Sequence, residues 1–316
     1  MFLKRLMHIL SGTPRRRAIF LLVLGLSFYG TARFFLWKDT PQAVISVGSK
    51  NFSESLIVGE LYALALESKG FRVDRKFNLG GTLFAHQALK RGEIDVYPEY
   101  TGTGLMDVLQ LPPQRDAEAI FKTVSHEYAR RWDLHWLTPS KANDSQALAI
   151  TAKTARRYHV YTLSRMSKLA PRFRLASIPE FEERKDGLPG LKQAYGGFAF
   201  KQVSLYESGL RYSILKRELA DVSVGFSTDG MLSDPDFILL EDDRHFWPPY
   251  RVAPVMRGDT LTRFPKARII LDRLSAQLDT KTLQRLNADV DLRKRSYQRV
   301  AAAFIATRTG FSKDLK

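Results

Sequence analysis

The chain has 316 residues, 44% hydrophobic and 26% charged, a composition that folds as roughly two globular domains and excludes disorder. It carries 49 Lys and Arg against 33 Asp and Glu, a net charge of +16, and no cysteine. The missing cysteine excludes a disulfide framework, thiolate metal sites, a cysteine nucleophile and a lipid-modified cysteine behind a leader.

The charge is front-loaded. Lys4, Arg5, Arg15, Arg16, Arg17, Arg33 and Lys38 against Asp39 place +6 in the first forty residues and leave +10 for the rest. That remainder is scattered through helical patterns rather than blocked into an arm. No zinc-finger spacing or RNA-binding sheet motif accompanies it, so nucleic acid is not an expected partner.

Arg15-Arg16-Arg17 precedes the apolar run Ala18–Tyr29, which is the order that export requires. Gly30-Thr31-Ala32 offers a small-residue cleavage site. Arg33 behind it is a poor neighbour for cleavage, and Phe34-Phe35-Leu36-Trp37 resumes the apolar character. Residues 1–40 are therefore expected to be a signal peptide or a signal anchor. The remainder is expected to be periplasmic or extracytoplasmic, tied to the inner membrane if the segment stays uncleaved.

From Val44 onward short apolar runs alternate with helical patterns. Val44–Val47 reads as a buried strand. Ser53 is placed to cap a helix to Glu67 with a stripe of Leu56, Leu61, Leu64 and Ala65, and Gly70 to end it. Phe71–Phe77 alternates as a strand. Thr82 is placed to cap a second helix closed by Gly92, and Ile94–Tyr97 is the next strand. This βαβαβ order implies a mostly parallel sheet with helices on both faces. Further strands are expected at Ala147–Thr151, Phe173–Ala176, Phe198–Phe200, Val222–Phe226, Phe237–Leu240 and Arg251–Met256. Helices are expected over Thr260–Gln277, Thr280–Leu292 and about Arg295–Thr307.

The chain echoes itself. Leu89-Lys90-Arg91, Asp95-Val96, Tyr100-Thr101 and Gly104 recur as Leu215-Lys216-Arg217, Asp221-Val222, Phe226-Ser227 and Gly230, always 126 residues on. Two similar α/β halves facing one another would form a cleft at the carboxyl ends of their strands.

The search for catalytic chemistry is negative. His8, His86, His126, His135, His159 and His245 lack metal-ligand spacing, and there is no nucleophile elbow or P-loop. Glu93, Asp95 and Glu99 crowd one strand without a nucleophile–base–orienter set. No catalytic residue, metal or cofactor is expected. Aromatic residues instead collect in the loops: Tyr97, Tyr100, Phe226, Trp247 and Tyr250 lie at or just after strands. Tyr97 and Trp247 suit ordinary packing. Ring faces converging without an acid–base set suit a quaternary ammonium, whose charge no hydrogen bond can meet.

Several segments together are similar to one family. Val47–Glu54 (VGSKNFSE), Asn78–Thr82 (NLGGT), Glu93–Gly104 (EIDVYPEYTGTG), Glu180–Leu191 (EFEERKDGLPGL), Ser227–Gly230 (STDG) and Pro248–Pro254 (PPYRVAP) resemble the glycine betaine/choline-binding proteins of osmoprotectant ABC transporters. The resemblance covers about residues 44–310. It implies a type II periplasmic-binding-protein fold: two α/β lobes, one from 44–142 plus 250–316, the other from 143–249, closing over a ligand. It also implies a monomer without enzymatic activity, a small quaternary ammonium ligand, and an ABC permease as membrane partner.

The resemblance further implies roles. Tyr100 and Tyr250 match cage positions around the cation, with Asp144 beside it. Lys50, Thr103 and Arg184 match the carboxylate side of a betaine, where the fork of an arginine suits the anion. Two cage positions depart from the family. Phe226 stands where a tyrosine is usual and keeps the ring face. Gln146 stands where another tyrosine is usual and loses the face, a contact worth about 0.5–2 kcal/mol. Glycine betaine is the expected ligand over choline, because Lys50 and Arg184 would repel a ligand with no anion. Another small zwitterion or polar amine accommodated by Gln146 is the alternative, with an enzyme on the same fold a more distant one.

Overall fold

A computed structural model describes residues 44–311. The leader reading, and His8 with it, fall outside the described residues. Ten strands form two five-stranded sheets. The first, ordered β2-β1-β3-β10-β4, uses β1 (Val44–Gly48), β2 (Arg72–Lys76), β3 (Val96–Tyr100), β4 (Leu134–Trp136) and β10 (Val252–Arg257). The second, ordered β7-β6-β8-β5-β9, uses β5 (Gln146–Thr151), β6 (Arg174–Ser177), β7 (Gln202–Leu205), β8 (Val222–Phe226) and β9 (Phe237–Leu239).

Neither sheet is mostly parallel, contrary to the sequence reading. β1 pairs parallel with β2 and β3, and β6 with β7 and β8. In each sheet the fourth strand runs antiparallel to both neighbours: β10 between β3 and β4, β5 between β8 and β9. Each enters its sheet just after the chain has crossed from the other, so it runs against the strands built by helical crossovers.

The sequence echo has a structural counterpart. β3 and β8, which are 126 residues apart, hold the same third place in their sheets. The residue before each is an aspartate with the same task. Asp95 Oδ2 accepts from the Ser46 amide at 2.8 Å, and Asp221 Oδ2 accepts from the Arg174 amide at 2.8 Å. Each carboxylate thereby joins the start of its own strand to the strand beside it.

Other local differences have plain causes. The strand expected at Phe198–Phe200 lies at Gln202–Leu205 instead, while Phe198 takes φ 61° and packs in the core against Tyr195. The helix expected over Thr260–Gln277 is two helices, Gly258–Arg263 and Pro265–Ser275, because Pro265 cannot donate to a continuing helix. The helix Ser53–Glu67 is capped by Phe52 rather than Ser53, and the helix Thr82–Arg91 by Gly81 rather than Thr82. The first of these helices is buried nearly all round rather than on one stripe. The helices Pro265–Ser275, Thr280–Asp291 and Tyr297–Ala306 pack against it.

Candidate functional site

Parallel strands β1, β3, β6 and β8 present their carboxyl ends at a common cleft, and antiparallel β5 and β10 present their amino ends there. Gln146 at the start of β5 pairs with Phe226 at the end of β8, and Val252 at the start of β10 pairs with Tyr100 at the end of β3. The cleft has a volume of about 690 Å³ and is lined from both sheets. Lys50, Tyr100, Thr103 and Tyr250 line it from the first, and Asp144, Gln146, Arg184 and Phe226 from the second. All eight residues singled out in the sequence thus share one cavity.

The two cations differ from the sequence expectation in one respect: each already has a carboxylate partner. Lys50 Nζ lies 2.5 Å from Glu99 Oε1 and donates to Thr82 Oγ1 at 3.0 Å. Glu99 is fully buried and also accepts from the Tyr97 hydroxyl at 3.0 Å. Arg184 Nε donates to Asp186 Oδ1 at 2.7 Å and Nη2 to Oδ2 at 2.5 Å, a two-point fork, while Nη1 reaches Asp107 Oδ2 at 3.5 Å. Lys50 and Arg184 therefore do not repel a pure cation as the sequence implied, since Glu99 and Asp186 neutralise them at contact distance. Glu93, which the sequence groups with Asp95 and Glu99, is an exposed surface residue.

Rings converge with this charge. The Tyr250 hydroxyl donates to Asp186 and receives the Gln146 amide at 3.4 Å. Its ring lies against Gly102, where a Cβ would come within 2.6 Å of Cδ1, so glycine is required for the close approach. Lys50 Nζ stands 5.2 Å from the Tyr100 ring centre, and the Arg211 guanidinium 5.1 Å from that of Phe226. Phe52 lines the cleft with its ring 6.1 Å from Tyr100. Sequence reasoning passed over Phe52, although it sits in the same VGSKNFSE segment as Lys50.

It also missed Glu54, which joins the expected Asp144 in an acidic floor. Glu54 Oε1 accepts from the Tyr100 hydroxyl at 2.9 Å and Oε2 from Asn287 Nδ2 at 2.7 Å. Asp144 accepts from the Thr228 hydroxyl. Burial raises the pKa of both carboxyls, that of Asp144 strongly, and hydrogen bonds to Thr228 oppose the rise. Among the described residues neither forms an ion pair. Asn287 carried no local signal, because it arrives from a helix more than 200 residues away. No group of His, Cys, Asp or Glu among the described residues could hold a metal ion.

The sequence pattern of the substrate-binding domain of ABC-type glycine betaine transport systems matches residues 43–307. The chain belongs to this family. It is a substrate-binding protein by descent, as the relatives are, and not an enzyme. It is 32% identical over 275 residues to the ergothioneine transport permease/ergothioneine binding protein EgtU of Helicobacter pylori, covering 85% of this chain and 49% of that one. The chain thus spans about half the length of that relative. It is 31% identical to the glycine-betaine-binding protein of Pseudomonas aeruginosa, covering 83% of this chain and 86% of that one. A crystal structure described as a glycine betaine/carnitine/choline ABC transporter superposes with a TM-score of 0.71 at 28% identity, covering 84% of this chain and 99% of that one. These structures share the two-lobed α/β fold of periplasmic binding proteins.

Proposed function

We propose that the protein captures a small quaternary ammonium solute of the glycine betaine or choline type outside the cytoplasm and passes it to an ABC permease. One observation carries this reading. The rings of Tyr100, Tyr250 and Phe226 share a cleft with two buried carboxyls, Glu54 and Asp144, that have no cation of their own. Aromatic faces and unneutralised carboxylates attract a trimethylammonium group, and the rings also pack on its methyl groups. Lys50, Thr103 and Arg184 would receive the carboxylate of a betaine while Lys50 and Arg184 stay paired with Glu99 and Asp186.

Gln146 favours a second ligand type within the same class. Its amide reaches Tyr250, so a polar group faces the ligand where the family usually has a ring. A betaine with a further polar substituent fits that replacement. Ergothioneine, which names the Helicobacter relative, is such a betaine.

Residues 1–40 would direct export or anchor the chain, and the exported part would act as a monomer. No helix among the described residues is long and apolar enough to cross a membrane. A thermal-shift screen tests the ligand assignment, because a ligand well above its Kd raises the melting temperature. Glycine betaine, choline, carnitine or ergothioneine at millimolar concentration is expected to raise it. A rise with amino acids alone, and none with any quaternary ammonium, refutes the assignment.

A further inference from the structure

We infer that Asp107 sets the ligand preference of this cleft by competing with the ligand's carboxylate for Arg184: it stands in for that anion when a choline-type ligand is bound, and a betaine displaces it. The inference rests on the proposed quaternary ammonium ligand and adds the residue that decides between its two types.

Asp107 lies on a π-helical turn, Gly104–Val108, that comes after β3 of the first sheet and four residues beyond Thr103. Turns of this kind are rare and collect at functional sites. Arg184 follows the short helix Pro179–Glu183, beyond β6 of the second sheet. Its guanidinium carries five hydrogens. Asp186 takes two of them, on Nε and Nη2, at 2.7 and 2.5 Å. Those that remain, on Nη1 and Nη2, are all that Arg184 can offer a ligand. Asp107 Oδ2 already stands 3.5 Å from Nη1, and Asp186 is the only other carboxylate among the described residues to form an ion pair with Arg184. The Asp107 contact is longer than both contacts to Asp186, so Asp107 is the partner that a ligand carboxylate can supplant.

The surrounding charge agrees. Arg184 and Lys50 attract the Asp107 carboxylate, while Asp186 and Glu99 repel it. Burial raises its pKa more than the two cations lower it. Lys50 and Arg184 are already matched by Glu99 and Asp186, so Asp107 is a surplus negative charge on the side of the cleft expected to hold an anion. Its side chain is 17% exposed, enclosed enough that water screens it only in part. A betaine carboxylate arriving at Arg184 is repelled by this charge. Choline brings no anion and is not.

Calorimetric titration of the purified protein with glycine betaine and with choline tests this, carnitine and its methyl ester replacing them if carnitine binds more tightly. Asp107→Asn keeps the side-chain shape and removes the charge. It is expected to bind the betaine about tenfold tighter than the unmodified protein does, the scale of one contact to a charged group, and to change choline binding by less than about threefold. Asp107→Ser makes the same test should the first variant fold poorly. When Asp107→Asn is added to Arg184→Ala, the betaine-to-choline ratio should shift by less than about threefold. A ratio unmoved by removal of the Asp107 charge overturns the inference and leaves the proposed function standing. An undiminished shift in the absence of Arg184 overturns competition at Arg184. Failure of every quaternary ammonium compound to bind the unmodified protein removes the proposed function and the inference with it.

Discussion

Asn287 donates to Glu54 at 2.7 Å and so joins two residues 233 positions apart. The same Nδ2 reaches the Thr228 carbonyl, which places one amide between the first helix and the turn after β8. The helix Thr280–Asp291 is therefore a strut between the two halves. Gln284 Nε2 donates to the Ser227 carbonyl at 2.8 Å, and Gly230 lies so near Ala288 that a Cβ would come within 2.3 Å of its amide nitrogen. Asn287→Ala should lower stability by about 1–3 kcal/mol, the effect of stripping donors from buried acceptors. Asn287→Asp should lower it further by adding a third carboxylate. Urea titration of both variants checks this, and losses under about 0.5 kcal/mol would show that the strut is idle.

Gly102 gives the most local test of the cage. In Gly102→Ala the new methyl must displace the Tyr250 ring, because the nearest ring atoms lie 2.6 and 2.7 Å from the ideal Cβ position. Quaternary ammonium affinity should fall about tenfold or more, with a stability loss of about 1–3 kcal/mol from overpacking. Unchanged affinity would mean that Tyr250 is not a cage wall.

Gln146→Tyr should strengthen binding of a trimethylammonium ligand by about 0.5–2 kcal/mol, the value of the ring face it restores. Phe226→Tyr should change less, since a ring is already present. Arg184→Ala should weaken glycine betaine more than choline, because only the betaine has an anion to lose. Titration of both ligands against the three variants is the check, and an equal loss of both ligands in Arg184→Ala would reduce Arg184 to a partner for Asp186.

His86 makes a pH prediction. It is 3% exposed, both ring nitrogens lack partners, and it lies among Tyr128 and Trp132 at 5.3 and 4.6 Å between ring centres. Burial, with Lys90 and Lys50 adding to it, lowers its pKa from 6.5 to about 4. The unfolded chain therefore takes up a proton below pH 6.5 that the folded chain refuses until about pH 4, and stability should fall with pH across that window. Glu54 and Asp144 act in the opposite sense. Their raised pKa values make the folded state hold protons, so their contribution is present at acid pH and is lost as pH rises through the folded values. His86→Phe isolates the first effect. Its melting temperature should drop less than that of the unmodified protein between pH 7 and pH 5, and a parallel drop would contradict the assignment.

The elements that could be read from sequence were those set by short-range signals. β8 and the helix Thr82–Arg91 with its left-handed Gly92 follow from apolar runs and capping geometry alone. The orientation of β5 and β10 was not legible, because it depends on where the chain crosses between sheets. Phe198 misled for a related reason: its apolar character serves the core, while the nearby strand β7 is an exposed edge with little hydrophobic pattern.

The cleft divides in the same way. Lys50, Tyr100, Arg184 and Tyr250 lie in recognisable segments next to strand ends. Their partners Glu99 and Asp186 stand one or two residues from marked positions, but nothing local says that a neighbouring carboxylate turns inward. Asn287 and Glu54 meet only through packing of the C-terminal helices, and no pattern in either segment announces the pair.

The enclosed pairing of Lys50 with Glu99 has a consequence for the medium in which the protein works. The two side chains are 4% and 0% exposed and lie in contact, a separation at which dissolved ions cannot intervene. Surface charges lose their reach as salt accumulates, with the screening distance shrinking from about 10 Å at 0.1 M to about 3 Å at 1 M. The Lys50–Glu99 and Arg184–Asp186 contacts, each 2.5 Å, lie below that distance at either concentration. Recognition set by them should remain nearly constant as external salt rises, while any long-range attraction exerted by the basic exterior fades.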